Sequence, residues 1–267
     1  MRASFMIGAW MFMAGARECV LAEPPAAADT PTSRIVASVD GATLTGTNGG
    51  GGGSLGWLVN FVPSAVVSVS AEHQVLADAH WTFGSFYGTA AAGPDTQRYH
   101  FYGEIHEGAG QDGPLAFDYH IEAVGAMGTF DHRFTAQLED RQIDVENTHG
   151  NLPKAGVSYL WGTQLSAALS YQHSVSGNLG TKVWSARVDH FGPTVNLLAG
   201  ASYGPTFPVS FYLPSGFVSQ VRLLREGFLG ASKPFPSLRS EFTFVADFID
   251  LSGIKRATFT LTYIYHV

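Results

Sequence analysis

The stretch Ala257–Val267 reads Ala-Thr-Phe-Thr-Leu-Thr-Tyr-Ile-Tyr-His-Val and has the pattern on which the prediction of the fold rests. Aromatic and aliphatic residues occupy its odd-numbered positions from Phe259 onward, while three threonines and His266 occupy most of the even-numbered ones. A period of two indicates a β-strand with one apolar and one polar face. The apolar face then packs either in the core of a soluble sheet or against lipid, with the polar face turned to an aqueous lumen.

The composition of the chain favours lipid. Of the 267 residues, 45% are hydrophobic and only 14% are charged, against about 25% charged in an average soluble domain. So few charges would leave much of a soluble exterior uncovered. The formal net charge of −7 argues against a nucleic-acid partner.

Residues 1–22 have the pattern of a secretory signal peptide. Arg2 precedes an apolar run over 3–16, and Val20-Leu21-Ala22 supplies small or apolar residues before a cleavage point at Glu23. Ala14-Gly15-Ala16 is a second candidate cleavage site. The apolar run is shorter than the ~20 residues that a membrane-spanning helix needs. The sequence therefore predicts secretion.

The segment after the predicted signal peptide, residues 23–32, is rich in Ala and Pro and is predicted to be disordered. The only cysteine, Cys19, lies before the cleavage point, so the mature chain would contain no disulfide. Residues 33–267 remain as one predicted domain.

From residue 33 onward the chain reads as strand after strand, with no segment of helical length and period 3.6. A weak strand over Ser33–Thr45 is followed by the glycine run 49–53, which predicts a flexible connection. Fourteen strands result, or twelve if the two weak N-terminal segments form something else. The other predicted strands lie near 56–61, 65–73, 79–89, 97–107, 115–127, 131–146, 154–161, 164–174, 181–191, 194–204, 216–229, 237–250 and 256–267.

Short and long connections alternate between these strands. This alternation is typical of a transmembrane barrel with short periplasmic turns and longer outer loops. If the last strand ends in the periplasm, the strand Ser33–Thr45 runs outward. The tight connections lie near 62–64, 128–131, 161–164 and 191–194, and the longer ones near 108–114, 147–153, 174–181 and 204–216.

A soluble β-sandwich would show the same alternation with its apolar faces turned inward. Two observations argue against it. Several predicted strands are ten residues or longer, whereas strands in soluble sheets average about five or six. Aromatic residues also concentrate near strand ends, as interface girdles do: Trp57, Trp81, Trp161, Tyr203, Tyr263 and Tyr265. The prediction is an all-β, transmembrane, antiparallel up-and-down β-barrel.

With its signal peptide, amphipathic strands and aromatic final strand, the chain resembles bacterial outer-membrane β-barrels of Gram-negative cells. The segments 185–192 and 199–204 are similar to YaiO-like outer-membrane barrels. The last strand of the family commonly ends in phenylalanine, whereas this one ends in Val267. The resemblance implies an outer-membrane location, contact with outer-membrane lipid, delivery by the barrel assembly machinery and a porin-like transport function.

The polar faces of the predicted strands supply the candidate site. Each opposes an aromatic or aliphatic face, so a membrane barrel would turn the polar side chains toward its lumen. They carry both signs of charge, which favours a narrow lumen without single-sign selectivity. The candidate lumen-lining residues are His100, Glu104, His106, Asp118, His120, Glu122, Arg133, Glu139, Arg141, Arg187, Asp189, Arg239 and Glu241.

Three functions fit such a barrel. The first is a channel or export pore for a hydrophilic solute or polymer, because fourteen strands leave room for a water-filled interior. The second is a structural or adhesive barrel whose lumen is plugged by salt bridges. The third is a lipid-acting outer-membrane hydrolase. Such enzymes use a His-x-Ser pair on one strand, but His173 and Ser174 are adjacent and Ser176 is three residues away. The sequence therefore favours a protein that is not an enzyme.

Histidines and carboxylates on the predicted lumen faces raise the question of a metal site. The alternative is that these groups form ion pairs with arginines in a wet lumen, and the sequence favours it. No metal and no cofactor are predicted. The groups in question are His100, His106, His120, Glu104, Asp118 and Glu122, and the arginines are Arg133, Arg141 and Arg187.

Overall fold

A computed structural model describes residues 32–62, 65–92, 99–112, 114–131, 133–145, 148–207 and 220–267. The predicted signal peptide, 1–22, and the predicted disordered segment, 23–32, lie outside the described residues, apart from Thr32. None of the described helices is long and apolar enough to cross a membrane.

The described residues form fifteen β-strands and one short 3-10 helix, Pro236–Leu238. The strands are β1 (Thr32–Leu44), β2 (Gly50–Val62), β3 (Ala65–Leu76), β4 (Ala79–Ala92), β5 (Tyr99–Asp112), β6 (Leu115–Phe130), β7 (Phe134–Val145), β8 (Thr148–Asn151), β9 (Lys154–Trp161), β10 (Leu165–His173), β11 (Lys182–Phe191), β12 (Asn196–Thr206), β13 (Arg222–Phe235), β14 (Ser240–Leu251) and β15 (Ile254–His266).

β8 and β9 together make one strand of the wall. Asn151 in β8 pairs with Gln142, and Lys154 in β9 pairs with Glu139, so both segments follow β7 in a single register. Pro153, which has no N–H to donate, lies where the ladder is interrupted. The wall therefore has fourteen strands, the number predicted from the sequence.

The sheet closes on itself. All pairings are antiparallel, and β1 pairs with β15 in a register that runs from Arg34 opposite His266 to Leu44 opposite Arg256. Closure leaves no exposed edge at which another chain could add a strand. The weak strand predicted over Ser33–Thr45 is confirmed, because β1 covers nearly the same residues and closes the barrel against β15.

The wall has two distinguishable ends. We call the end that carries Thr32 and Val267 the terminal end, and the opposite one the loop end. Turn residues at the terminal end include 131, 133, 162–164, 192–195 and 236–239, and connections at the loop end include 45–49, 77–78, 174–181 and 252–253.

The predicted loops 108–114 and 147–153 are largely strand, because the hairpins extend further than expected. The glycines of the first segment suggested a loop. Gly110 instead lies under the ring of Phe117, where an added Cβ would sit 2.3 Å from Phe117 Cζ. Glycine here makes room for an aromatic ring rather than turning the chain.

The glycine run predicted as a flexible connection is also strand. Gly50–Gly53 open β2 and pair with both β1 and β3. An added Cβ at Gly50 would lie 1.9 Å from the Val75 carbonyl oxygen, and one at Gly51 would lie 2.5 Å from that of Asp40. The prediction was wrong because these glycines serve the close approach of three backbones.

The two faces of the wall are reversed relative to a soluble protein. Large apolar side chains are exposed on the outside, among them Val124 and Leu138 at 66% and Leu261 at 45%. Polar side chains are buried on the inside, among them Thr243 and Thr258 at 2% each. An apolar belt around a polar interior suits lipid outside and a hydrophilic lumen inside. The fold is a transmembrane antiparallel β-barrel.

Near the loop end, β5, β6 and β7 exchange the chemistry of their faces. Along β7, the outer face changes from Phe134 and Leu138 to the exposed Asp140 and Asp144. The inner face changes from polar residues to apolar ones, ending with Ile143 and Val145 at 2% exposure each. A polar outer face over an apolar inner face is the pattern of a sheet in water. These strands therefore extend beyond the lipid.

Candidate functional site

The inner face of the barrel is the candidate site, and most of the predicted lumen residues lie on it. They alternate with outward-facing residues that are mostly aromatic or aliphatic. All of them are buried or half-buried, so the interior is largely shielded from solvent. They are His100, Glu104, His106, Glu139, Arg141, Arg187, Asp189 and Glu241.

Three predicted lumen residues of β6, Asp118, His120 and Glu122, lie on the outer face instead. The inner positions of this stretch belong to Ile121 and Ala123, each 2% exposed. The alternation of the two faces was predicted correctly, but the face that points inward was assigned wrongly. Apolar residues were assigned to lipid along the whole strand, whereas this part of β6 extends beyond the lipid.

Arg133 and Arg239 were also predicted to line the lumen, and this was wrong. Both are exposed in turns at the terminal end. Arg239 follows the 3-10 helix and has a left-handed backbone with φ of 47°. Each of these arginines precedes the first residue of a strand, Phe134 in β7 and Ser240 in β14. Their side chains therefore do not follow the alternation of the two faces.

The best-defined group of inner charges joins β5 to β7 across β6. The Arg141 guanidinium lies 2.7 Å from Glu104 and 3.2 Å from Glu139. His106 Nε2 lies 3.4 Å from the same Glu104 carboxylate. The Tyr102 hydroxyl donates to Glu139 at 2.7 Å. We call these five residues the β5–β7 network. Each of them forms an ion pair or a hydrogen bond with another member of the network.

The β5–β7 network depends on a glycine of the strand between. Tyr102 lies over Gly125 of β6, where an added Cβ would sit 2.2 Å from Tyr102 Cζ. The ring can therefore cross β6 and reach β7. Phe228 lies over Gly200 of its neighbouring strand in the same way, at 2.3 Å. Both rings therefore lie over a glycine of the neighbouring strand.

Two further ion pairs lie on the inner face. Arg187 Nη2 lies 2.6 Å from Asp189 Oδ1, and its Nε donates to both carboxylate oxygens at 2.9 Å. Arg256 lies 3.6 Å from Asp247. Arg141, Arg187 and Arg256 thus each form an ion pair inside the barrel.

Sequence reasoning missed several charged residues of the inner face. The sequence did indicate the position of Arg256. It lies two and four residues before Thr258 and Thr260, so it belongs to the same polar face of the last strand. The buried charged residues that the candidate list lacks are Glu72, Lys154, Glu226, Asp247 and Arg256.

Apolar side chains line the inner face at the loop end. They form one connected cluster drawn from strands around the wall, including β1, β4, β7, β11 and β14. An apolar constriction excludes water and can gate a passage by dewetting. We call this cluster the apolar collar: Leu44, Leu76, Ala79, Trp81, Phe83, Ile121, Ile143, Val145, Leu152, Leu179, Val183, Leu224, Ile249 and Leu251.

A small cavity of about 40 Å³ lies beside the apolar collar. The collar residues Trp81 and Phe83 line one part of it, and Asp40, Glu72 and Gln74 line another. Gln74 Nε2 donates to Asp40 Oδ1 and to Glu72 Oε1, both at 2.8 Å. The cavity marks the level at which the lining changes from apolar to polar.

His120 interacts with carboxylates on the outer face beyond the lipid. It is hydrogen-bonded to Glu107 and lies 3.8 Å from Glu122. The hydrogen bond to Glu107 raises the pKa of His120, partial desolvation opposes this, and the charges of Glu107, Glu122 and Asp144 add to the increase. These groups therefore bind one another outside the barrel rather than a solute within it.

The stretch considered for hydrolase chemistry assembles no catalytic pair in the structure. His173 ends β10 and stacks on Tyr171 with ring centroids 6.1 Å apart. Ser174 Oγ accepts the N–H of Thr181 at 3.0 Å, and Ser176 Oγ bonds to Asn151 of β8 at 3.2 Å. Both hydroxyls stabilise the connection after β10. Within the described ranges, no group of three or more His, Cys, Asp or Glu is arranged to hold a metal ion.

Comparison with known proteins places this architecture. No protein-family model matches the chain, and no curated protein matches it. Its structure is similar to that of the CymD monoaromatic hydrocarbon channel, with a TM-score of 0.58 and 10% identity over 88% of this chain and 87% of that one. The chain therefore shares with that channel the fold of a closed antiparallel β-barrel.

Two further solved structures align with the chain. The TodX deltaS2S3 mutant monoaromatic hydrocarbon channel aligns with a TM-score of 0.54 and 9% identity, over 92% of each chain. The KdgM porin aligns with a TM-score of 0.47 and 6% identity, over 85% of this chain and 98% of that one. At such identities the likeness to the two hydrocarbon channels establishes the barrel fold alone, and the function has to be argued from the inner face.

Proposed function

We propose that the protein is an outer-membrane channel for a hydrophilic solute, held closed at its loop end by the apolar collar. The observation that carries the proposal is a polar inner face within the apolar belt of a closed fourteen-stranded wall. Barrels of eight strands are filled by their side chains, whereas those of sixteen to eighteen contain an aqueous channel. Fourteen strands give an interior between these limits.

The location follows from the same belt together with the N-terminal sequence. A secretory signal over residues 1–22 would deliver the chain across the inner membrane, and the barrel assembly machinery would insert it among outer-membrane lipids. The resemblance of 185–192 and 199–204 to YaiO-like barrels stays a proposal about subfamily.

The lining favours neutral, hydrogen-bonding solutes. Hydroxyl pairs bridge neighbouring strands on the inner face, including Ser38 with Ser54 at 2.6 Å and Ser185 with Ser202 at 2.9 Å. Charges of both signs are present, and Arg141, Arg187 and Arg256 are ion-paired, so no field of one sign selects ions. A sugar or a neutral polymer of similar chemistry meets hydroxyl groups along this lining.

A structural or adhesive barrel is the second candidate. The burial of the paired charges favours it, since Glu139 is 8% exposed and Arg141 9%. Such a network would keep the lumen permanently closed. Opening the lumen would separate the partners and leave buried charges without compensation.

Solute uptake into liposomes separates the two candidates. We expect the Leu224→Ser variant, which makes the apolar collar wettable, to admit a neutral sugar faster than gluconate or an organic cation of similar size. The parent should admit the sugar more slowly, since its collar is intact. A folded Leu224→Ser barrel that admits none of the three solutes would rule out the channel and leave the structural barrel.

A further inference from the structure

The outer face at the loop end is divided by charge. A bilayer surface therefore meets an acidic half and a basic half of the same barrel. On β5–β7 the exposed charged residues are Glu107, Asp118, Glu122, Asp140 and Asp144. On β11–β15 they are Lys182, Arg225 and Lys255. In the described part of β11–β15, the carboxylate beside these cations on the outer face is the half-buried Asp250.

The basic half is organised as a row across five neighbouring strands. Trp184, Tyr203, Arg225, Asp250 and Lys255 are successive register partners on β11 to β15. Directly paired residues project from the same face, so all five side chains leave the outer face. Strands lie about 4.8 Å apart, which makes the row about 19 Å wide. We call these five residues the rim row.

The rim row lies at the boundary of the apolar belt. The next outward residues toward the terminal end are apolar or small, and among those after them Leu229 is 55% and Phe259 45% exposed. Trp184 and Tyr203 are themselves 53% and 57% exposed. Tryptophan and tyrosine are enriched where lipid chains meet headgroups. The cations of the rim row therefore lie at headgroup level.

We propose that the rim row, together with Lys182 two residues before Trp184, binds the phosphate groups of anionic membrane lipids. Guanidinium and ammonium groups form charge-assisted hydrogen bonds with phosphate. Lys182, Arg225 and Lys255 form no ion pair with another described residue.

The charge balance supports a lipid on this side alone. Asp250 Oδ1 accepts the N–H of Gly253 at 2.8 Å, so that carboxylate is engaged in the turn. Three cations and one carboxylate leave a net charge of +2 on Lys182 and the rim row. The acidic half repels phosphate, so the anionic lipids collect along β11–β15. This inference rests on the barrel lying in a bilayer and is independent of whether it conducts.

Fluorescence of Trp184 tests the proposal. The full barrel is placed in phosphatidylcholine vesicles that contain an equal fraction of brominated phosphatidylglycerol or brominated phosphatidylcholine, and bromine quenches a tryptophan it touches. The Trp184 signal is the difference between parent and Trp184→Phe. We expect stronger quenching by the anionic lipid in the parent. Each cation lost should weaken this preference about fivefold before salt screening.

The decisive variant is Lys182→Gln/Arg225→Gln/Lys255→Gln, and Lys233→Gln, an exposed outer lysine nearer the terminal end, is its matched control. The triple variant should lose the preference and the control should keep it. Heat-modifiable migration on gels confirms that each barrel is folded. Equal quenching by both lipids in the parent, or a preference that survives in the triple variant, overturns the proposal.

A competition arm distinguishes a lipid from a free anion. Inorganic phosphate should reduce the preference no more than chloride at equal ionic strength, because the rim row is spaced for several headgroups at the bilayer surface. Selective competition by inorganic phosphate would show an anion site instead, and loss of the preference in Lys233→Gln would show a nonspecific charge effect. Either result overturns the assignment.

Discussion

At the scale of the residue, the barrel depends on glycines placed beside large groups. Gly125 gives the Tyr102 ring room to reach β7, and Gly50–Gly53 bring three backbones together. Both uses need the missing Cβ, as a turn also does. A single sequence does not distinguish these uses, which is why the glycine run was taken for a flexible connection.

His120 provides a prediction at this scale. We expect its imidazole to titrate above the ordinary value of 6.5, because the hydrogen bond to Glu107 stabilises the protonated ring. A raised pKa in the folded state means that this pair stabilises the barrel below the unfolded pKa. The stabilisation is lost as pH rises through the folded value.

NMR titration of labelled histidines checks this, with His120→Gln to assign the signal. In Glu107→Gln the pKa of His120 should fall toward 6.5. A pKa that does not respond to this substitution would contradict the pairing on the outer face.

At the scale of the element, period two predicted the strands and left the direction of their faces to be inferred. For β11, β14 and β15 the inference was right, since the apolar face is exposed on the outside along most of each strand. For β6 it was wrong near the loop end, where water replaces lipid outside. The environment changes along the strand while the period does not, so the sequence pattern alone cannot locate the change.

The depth of a residue on the outer face gives a prediction for elements. Phe244→Arg, on the outer face of β14 among exposed phenylalanines, should lower the free energy of unfolding by ~2–4 kcal/mol if it lies near the bilayer midplane. Gln142→Arg is the matched control, because Gln142 is exposed on the outer face of β7 beyond the apolar belt. Its cost should be about 0–1 kcal/mol.

Urea-dependent folding in lipid vesicles measures both values. Equal costs at the two positions would show that the boundary between lipid and water on the outer face has been misplaced.

At the scale of the whole molecule, closure into fourteen strands followed from counting amphipathic segments, but the apolar collar did not. Its members, such as Phe83, Val183 and Leu251, come from strands far apart in the chain. Each looked like an ordinary apolar strand residue, and only the closed wall brings them to one level. The polar lumen and the collar together define the account: a hydrophilic passage with an apolar closure at one end.

Single-channel recording in planar bilayers tests whether the apolar collar closes a conducting lumen. Val183→Ser places a hydroxyl in the apolar collar, while Val188→Ser makes the same change on the outer face of the same strand. We expect the parent and Val188→Ser to open rarely, and Val183→Ser to conduct steadily, because a wetted constriction no longer excludes water. If folded Val183→Ser is as silent as the parent, the apolar collar does not gate a conducting lumen.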